Sequence, residues 1–242
     1  MKILRVIYCI YAYLIFVLLM FIAFPLVVCG LLFGKTASGN FVYKVGKVWA
    51  RIWYLFIGIR HHSIVEEAPD LDKKYIFVAN HISYLDIPTT MLAISQPYRV
   101  LGKHDIVRIP IFGLIYKTAV ILVDRSDANN RTQSVRALMG ALNKGISILI
   151  FPEGTFNETT KPLKDFYDGA FRLAIQTQTP IKPLLYLDNK ERLHYNSIFS
   201  LTPGISRVVY LPTISTEGYT TKDVLILKEK VYRVMEEGLL RY

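Results

Sequence analysis

The sequence of 242 residues contains only two cysteines, Cys9 and Cys29, and both lie in one apolar segment near the amino terminus. The rest of the chain therefore has no cysteine pair from which a disulfide framework could be built. This usage fits a reducing compartment. The length is enough for one large domain with a substantial core, or for one domain with an appendage.

Charged residues are absent from the run Val6 to Gly34. As a helix, this run would be about 43 Å long, against a hydrocarbon thickness of about 30 Å. The run predicts a membrane anchor, either one tilted span or two short helices in a re-entrant hairpin, because Pro25, Gly30 and Gly34 interrupt its second half. A cleaved signal peptide is the alternative, since Lys2 and Arg5 precede the run. A retained anchor is favoured because a signal peptide's apolar region has only about 7–15 residues.

Acidic residues are also absent from the first 65 positions, which carry +7 of the net charge of +10. The remaining chain holds 22 basic and 19 acidic residues, so its balance gives no reason to expect nucleic acid as a partner. Basic residues are more numerous after the apolar run than before it, which favours a cytoplasmic location for the large domain. The seven cations are Lys2, Arg5, Lys35, Lys44, Lys47, Arg51 and Arg60.

The segment from Phe41 to Arg60 mixes bulky apolar residues and cations with Trp49, Trp53 and Tyr54. This mixture is typical of a helix at a membrane interface, where aromatic rings lie at headgroup depth and cations meet anionic lipid. A core helix flanked by solvated charges is the alternative.

Beyond residue 65, short β-branched runs alternate with helical patterns. This alternation predicts an α/β fold with a mixed, mostly parallel sheet flanked by helices. We expect a membrane-anchoring helical segment over 1–65 and an α/β domain over 66–242. The predicted strands are 75–79, 98–101, 119–123, 146–151, 181–187 and 208–211, and the predicted helices are 84–94, 131–143, 168–177 and 222–239.

The run Val78 to Asp86 places four residues between His81 and Asp86, directly after an apolar stretch. A histidine held by a carboxylate is the usual means of deprotonating a hydroxyl near pH 7, because the unperturbed pKa of imidazole lies there. The alternative is that Ser83 or Asp86 only caps the following helix. The pair alone leaves both interpretations open.

Three later segments also lie at the ends or the start of predicted strands. Strand carboxyl ends are where open α/β sheets bind ligands, so a carboxylate and a free backbone N–H there can hold a substrate. Solvated cations, a plain turn and a strand edge are the alternatives. The segments are Gly102-Lys103-His104 with Ile109-Pro110-Ile111-Phe112-Gly113 and Val123-Asp124-Arg125, then Phe151-Pro152-Glu153-Gly154-Thr155, then Pro180-Ile181-Lys182-Pro183.

In order and approximate spacing, these four segments resemble the four motifs of the glycerolipid acyltransferase family over about residues 75–190. The resemblance implies that His81 is the general base and that Asp86 orients its imidazole. It implies contacts of the acceptor's phosphate with Lys103 and Arg125. It further implies substrate-binding roles for Asn80 and Ser83 of the first motif and for Glu153, Gly154 and Thr155 of the third.

The implied reaction moves a fatty acyl group from acyl-CoA or acyl-carrier protein directly to a lysolipid hydroxyl. The expected acceptor is 1-acyl-sn-glycerol-3-phosphate, which gives phosphatidate in phospholipid biosynthesis. A thioester is already activated, so a base, dipoles for the oxyanion and good alignment suffice, and no metal or cofactor is expected. The expected location is a bacterial inner membrane, with the catalytic domain on the cytoplasmic side and membrane lipid as a partner.

One position departs from the family pattern. Family members commonly have an arginine after Glu-Gly-Thr that helps to bind phosphate, whereas Phe156 and Asn157 follow here. The departure leaves open an acceptor without phosphate, such as a lyso-aminolipid. The basic stretch from Lys161 to Lys164 is a candidate substitute for the missing guanidinium.

Other functional classes have less support in the sequence. No Gly-x-Ser-x-Gly elbow of a serine hydrolase occurs, and the five histidines show no His-Glu-x-x-His spacing of a metal hydrolase. A membrane-anchored lipid-binding or scaffold relative without activity is the non-enzymatic alternative. The presence of His81, Asp86, Glu153 and Gly154 argues against that loss.

Overall fold

The computed structural model describes residues 2–123 and 128–242, and it contains a seven-stranded sheet with helices on both faces. The helices are α1 (Lys2–Gly30), α2 (Lys35–Phe56), α3 (Asp86–Ala93), α4 (Phe112–Ala119), α5 (Ala128–Asn143), α6 (Gly169–Thr177), α7 (Asn189–Arg192) and α8 (Val224–Arg241). The strands are β1 (Ile59–Val65), β2 (Ile76–Ala79), β3 (Tyr98–Lys103), β4 (Val120–Val123), β5 (Ser147–Ile150), β6 (Ile181–Tyr186) and β7 (Gly204–Tyr210).

The strand order is β1-β7-β6-β2-β5-β3-β4, and only the β6–β7 pair is antiparallel. The predicted α/β class with a mixed, mostly parallel sheet is confirmed. Strands occur at all six predicted positions. The central strands are buried on both faces, as expected for parallel strands under two helical layers.

Alternate side chains of β2 contribute to two separate cores. Ile76 and Val78 pack with α5, α6 and α8 on one face of the sheet. Phe77 and Ala79 pack with α2, α3 and α4 on the other face. The period of two along the strand thus joins both helical layers to one central strand.

The register of β2 against β5 places the two main motifs side by side. Val78 pairs with Ile150 in parallel. His81 and Glu153 each follow three residues later, so they leave the sheet at the same edge. The carboxyl end of β3 reaches this edge through its pairing with β5.

The apolar run near the amino terminus forms one continuous helix, α1, which contains Pro25. The proline does not divide the run into two short helices. A turn at Gly34, whose φ of +80° suits glycine, leads into α2, and α1 packs along α2. Trp53 Nε1 donates to the carbonyl oxygen of Ala12 at 2.9 Å, and Arg5 donates to that of Ser200 at 2.6 Å. Segment 2–33 is the one described helical stretch long and apolar enough to cross a membrane.

Two features differ from the sequence-based expectations for residues 1–65. The sheet begins at Ile59, inside the segment assigned to the anchor, because β1 pairs with β7 at the sheet edge. Four consecutive polar residues, Arg60 to Ser63, lie in the middle of β1, and this pattern does not indicate a buried strand. Trp53 and Tyr54 are buried against α1 and Leu85 rather than exposed at an interface, so this part of α2 matches the core-helix alternative.

Candidate active site

His81 and Asp86 form a hydrogen-bonded pair in the turn between β2 and α3. His81 Nδ1 lies 2.8 Å from Asp86 Oδ2. The backbone N–H groups of Ile82 and Ser83 donate to the same oxygen at 2.8 and 2.9 Å, and Asn189 Nδ2 donates to Oδ1 at 2.9 Å. Because an ionised carboxylate only accepts, Nδ1 carries the proton and Nε2 keeps a lone pair.

Asp86 is the first residue of α3, yet its side chain bonds to groups that precede it and not to helical N–H groups. The carboxylate is fully buried, whereas the imidazole of His81 is 20% exposed. The helix-cap interpretation of Asp86 therefore fails. Ser83 does resemble a local cap, since its Oγ accepts from the N–H of Leu85 and donates to the carbonyl oxygen of Leu193.

Asn80 and Ser83 lie behind the histidine and not at an open surface, since both are buried. The Asn80 amide donates to the carbonyl oxygen of Tyr186 at 2.9 Å and its oxygen accepts the Tyr186 N–H at 2.8 Å. These two bonds join the end of β2 to β6. In this geometry both residues support the turn that carries His81.

Glu153 is also fully buried, and its carboxylate ties two backbone segments together. Oε1 accepts from the N–H of His81 at 2.8 Å, and Oε2 accepts from the N–H of Lys164 at 2.9 Å. Burial raises the pKa of Glu153 to about 7, although these two donated hydrogen bonds act in the opposite direction. The Glu153 side chain thus fixes the backbone position of His81.

Two phenylalanines pack on the imidazole of His81. The Phe151 ring stacks on it with centroids 4.2 Å apart, and the Phe156 ring lies at 4.3 Å with an interplanar angle of 52°. Phe156 also contacts the rings of Tyr84 and Tyr195. Phe156, at the position where the family pattern has an arginine, therefore belongs to an aromatic cluster over the imidazole of His81.

A cavity of about 1200 Å³ extends from His81 between the sheet and the first two helices. Gly154 and Thr155 line it, and Gly154 has a φ of +75°, where a side chain would be strained. Most of the lining is apolar. Helices α1 and α2 contribute Phe16, Met20, Ala23, Val27, Val42, Tyr43, Val45, Gly46 and Trp49.

Of the two cations predicted in the second motif, the structure locates only the backbone of one. Lys103 ends β3, where it pairs with Val123 of β4, at the same sheet edge as His81. The course of its side chain is not among the described features, and Arg125 lies outside the described residues. Their joint contact with one anion stays a prediction.

Some residues at the site carry no signal in the sequence. Asn189 reaches Asp86 across 103 positions, and no local pattern indicates that contact. Among the residues whose side chains the structure describes, Arg108 is the one cation lining the cavity, and only its place before Ile109-Pro110 in the second motif could have drawn attention to it. In the sequence, Lys164 is marked only by its place in the basic stretch that begins at Lys161.

Comparison with known proteins identifies the family of the chain. A model of the family described as Acyltransferase matches residues 60–187, more than half of the chain. The chain belongs to the Acyltransferase family. Within this family, it is 31% identical over 169 residues to the 1-acyl-sn-glycerol-3-phosphate acyltransferase of Escherichia coli (strain K12), with 68% of this chain and 66% of that protein covered.

A second relative in the family is the chloroplastic 1-acyl-sn-glycerol-3-phosphate acyltransferase of Brassica napus, which is 28% identical over 81% of this chain and 56% of its own length. The chain thus spans between about half and two thirds of these relatives. A crystal structure of the 1-acyl-sn-glycerophosphate acyltransferase from Thermotoga maritima superposes with a TM-score of 0.81 at 19% identity, covering 100% of this chain and 97% of that one. This likeness establishes the shared fold.

Proposed function

We propose that the chain transfers a fatty acyl group from a thioester donor to the free hydroxyl of 1-acyl-sn-glycerol-3-phosphate, giving phosphatidate. The observation that carries the proposal is the His81–Asp86 pair beside a large apolar cavity. A base with a free nitrogen serves a hydroxyl nucleophile, and an apolar cavity of this size suits a fatty acyl chain. The acceptor is inferred from the substrates named for the relatives.

In the proposed reaction, His81 Nε2 takes the proton of the acceptor hydroxyl while that oxygen attacks the thioester carbonyl carbon. Collapse of the tetrahedral intermediate breaks the carbon–sulfur bond. The thiolate of coenzyme A or acyl-carrier protein then leaves and takes up the proton held by His81. Asp86 keeps the imidazole in the required tautomer and stabilises the imidazolium that forms transiently.

The remaining motif residues have two proposed roles. Glu153, Asn80 and Ser83 position the turn around His81, since their side chains bond to backbone groups and are buried. Gly154 and Thr155 contact the substrate from the cavity wall, with Lys103 and Arg125 of the second motif as further contacts to the acceptor.

Membrane association through residues 1–34 is part of the same proposal. Much of the surface of α1 is apolar and exposed, and the residues that follow it are basic. Both substrates carry long acyl chains, so an enzyme at the membrane surface meets its acceptor there. The proposed location is a bacterial inner membrane with the sheet on the cytoplasmic side.

An acceptor panel tests the function. The purified full-length protein in detergent is supplied with acyl-CoA or acyl-carrier protein thioesters and with lysophosphatidate, a lyso-aminolipid or monoacylglycerol. We expect acylation of lysophosphatidate with the highest kcat/KM. A strict preference for the phosphate-free acceptors would replace the proposed acceptor, and the absence of transfer to all three would favour a non-enzymatic lipid-binding role.

A further inference from the structure

Lys164 has a fixed position relative to the base, although 83 positions separate it from His81. The carboxylate of Glu153 accepts the backbone N–H of His81 on one oxygen and that of Lys164 on the other. Asn157 adds a second connection, because its N–H donates to the carbonyl oxygen of His81 at 2.9 Å. The loop that carries Lys164 is therefore fastened to the catalytic turn at two points.

The ammonium group of Lys164 bonds to a residue of the cavity wall. Its Nζ lies 3.3 Å from Thr155 Oγ1, and Thr155 lines the cavity together with His81. Within the described part of the chain, no carboxylate forms an ion pair with this ammonium. The positive charge is thus available to a ligand.

Further donors lie beside this ammonium. Across residues 2–123 and 128–242, no group accepts a hydrogen bond from the backbone N–H of Thr155 or of Phe156. The Thr155 hydroxyl lies at the same wall, where it accepts from Lys164 Nζ and donates to the carbonyl oxygen of Phe156 at 3.2 Å. A cation grouped with backbone N–H donors is the arrangement that proteins use to bind phosphate.

The structure separates Lys164 from the neighbouring cation of the same loop. Lys161 is exposed, and only its backbone takes part in described hydrogen bonds: its carbonyl oxygen accepts from Asn157 Nδ2 and its N–H donates to Thr159 Oγ1. Phe156 occupies the family's arginine position and packs on His81, so it supplies no charge. Lys164 is the cation of this loop whose ammonium bonds to a residue of the cavity lining.

We propose that Lys164 is a specificity-determining residue that binds the phosphate of the acceptor, in place of the arginine that the third motif lacks. The inference rests on the proposed function, since it concerns the headgroup of the same acceptor. The positive charge then comes from a residue later in the loop than the family's arginine position, and the ring of Phe156 at that position packs on His81.

The test compares two acceptors with the same acyl chain, lysophosphatidate and monoacylglycerol, which differ only in the phosphate. Lys164→Met should raise KM for lysophosphatidate about 10- to 100-fold, the range of a lost hydrogen bond to a charged group, with kcat changed less than about threefold. Its kcat/KM for monoacylglycerol should equal that of the wild type. Lys164→Arg should restore the KM, and Lys161→Met is the matched control with no expected effect.

An equal loss with both acceptors would assign Lys164 a structural role and overturn the inference. So would a normal KM in Lys164→Met together with a raised KM in Arg108→Met, which would assign the phosphate to the cation of the cavity lining. In both cases, the wild type still prefers lysophosphatidate and the proposed function stands. If the wild type shows no such preference, the proposed acceptor fails, and the inference fails with it.

Discussion

The turn around His81 and the outer face of α1 use their side chains in opposite ways. At the turn, both oxygens of the buried Asp86 carboxylate are bonded to N–H donors. On α1, Leu14 and Ile22 are 65% and 60% exposed without any polar partner. The turn depends on hydrogen-bond geometry, so a single substitution there should abolish most of the activity. Membrane binding by α1 depends on summed apolar area, so each single substitution there should weaken it only in part.

The largest expected effect is that of His81→Ala. Loss of the base should lower kcat about 10⁴-fold, the upper end of what general-base catalysis contributes. The imidazole is partly exposed, so folding and membrane binding should persist. Steady-state kinetics together with a melting temperature would check this, and a folded variant that retains turnover would contradict the assignment of His81 as the base.

Asp86→Asn should follow, with kcat lowered about 10³-fold and KM little changed. The amide –NH₂ would face a donor whichever way it turns, because both carboxylate oxygens accept N–H bonds here. The imidazole would then lose its orientation and tautomer. Asn189→Ala serves as a milder comparison, since it removes only one of these bonds. An Asp86→Asn enzyme with normal kcat would show that the pair is structural.

Loss of membrane binding by α1 should require several substitutions at once. Leu14, Leu18 and Ile22 share one face of α1, and replacing all three with serine should weaken binding to liposomes about 10³-fold, at about 1.5 kcal/mol for each side chain. Any one of these replacements alone should cost about tenfold or less. Co-sedimentation with vesicles measures both.

Replacing Leu225, Ile226 and Leu240 of α8 with serine is the matched control for the helix, because these residues are similarly exposed. The melting temperature should be unchanged in both triple variants. Equal losses of binding in the two would mean that α1 has no special role in membrane association.

The smallest effect concerns the pH dependence of stability. Burial raises the pKa of the Glu153 carboxyl to about 7 from an ordinary value of 4.5. Because the folded value is the higher one, the folded state holds the proton more tightly. Stability from this group is complete below about pH 4.5 and is lost as pH rises through about 7. The expected loss is about 3 kcal/mol in the free energy of unfolding.

Urea unfolding of Glu153→Gln at pH 5 and pH 8 isolates this contribution. The glutamine costs some stability at both pH values, since its –NH₂ group faces one of the two backbone N–H groups that bond to Glu153. The decrease between the two pH values should nevertheless be smaller than in the wild type. An identical pH slope in both proteins would mean that Glu153 does not titrate in this range.

The sequence predicts the parts of the site that depend on local pattern. The strand before His81 and the strand before Glu153 are apolar runs, and parallel pairing brings their ends together at one edge. The burial of Glu153 and the contact of Asn189 with Asp86 were not predictable, because both depend on the packing of segments distant in the chain. The same holds for α1, which is continuous through Pro25 and packs along α2.

The hydrogen bonds of the Asn80 side chain limit which residues the fold can accept at position 80. Its side-chain amide copies a peptide unit, with one donor and one acceptor that match the carbonyl and the N–H of Tyr186. The strand is therefore extended by a side chain, and the main chain can turn away one residue early with no unpaired group left on β6. An aspartate is nearly the same size but has no N–H, so it would place an anion against a carbonyl oxygen. The hydrogen-bonding pattern of the side chain, and not its volume, therefore decides which residue fits at position 80.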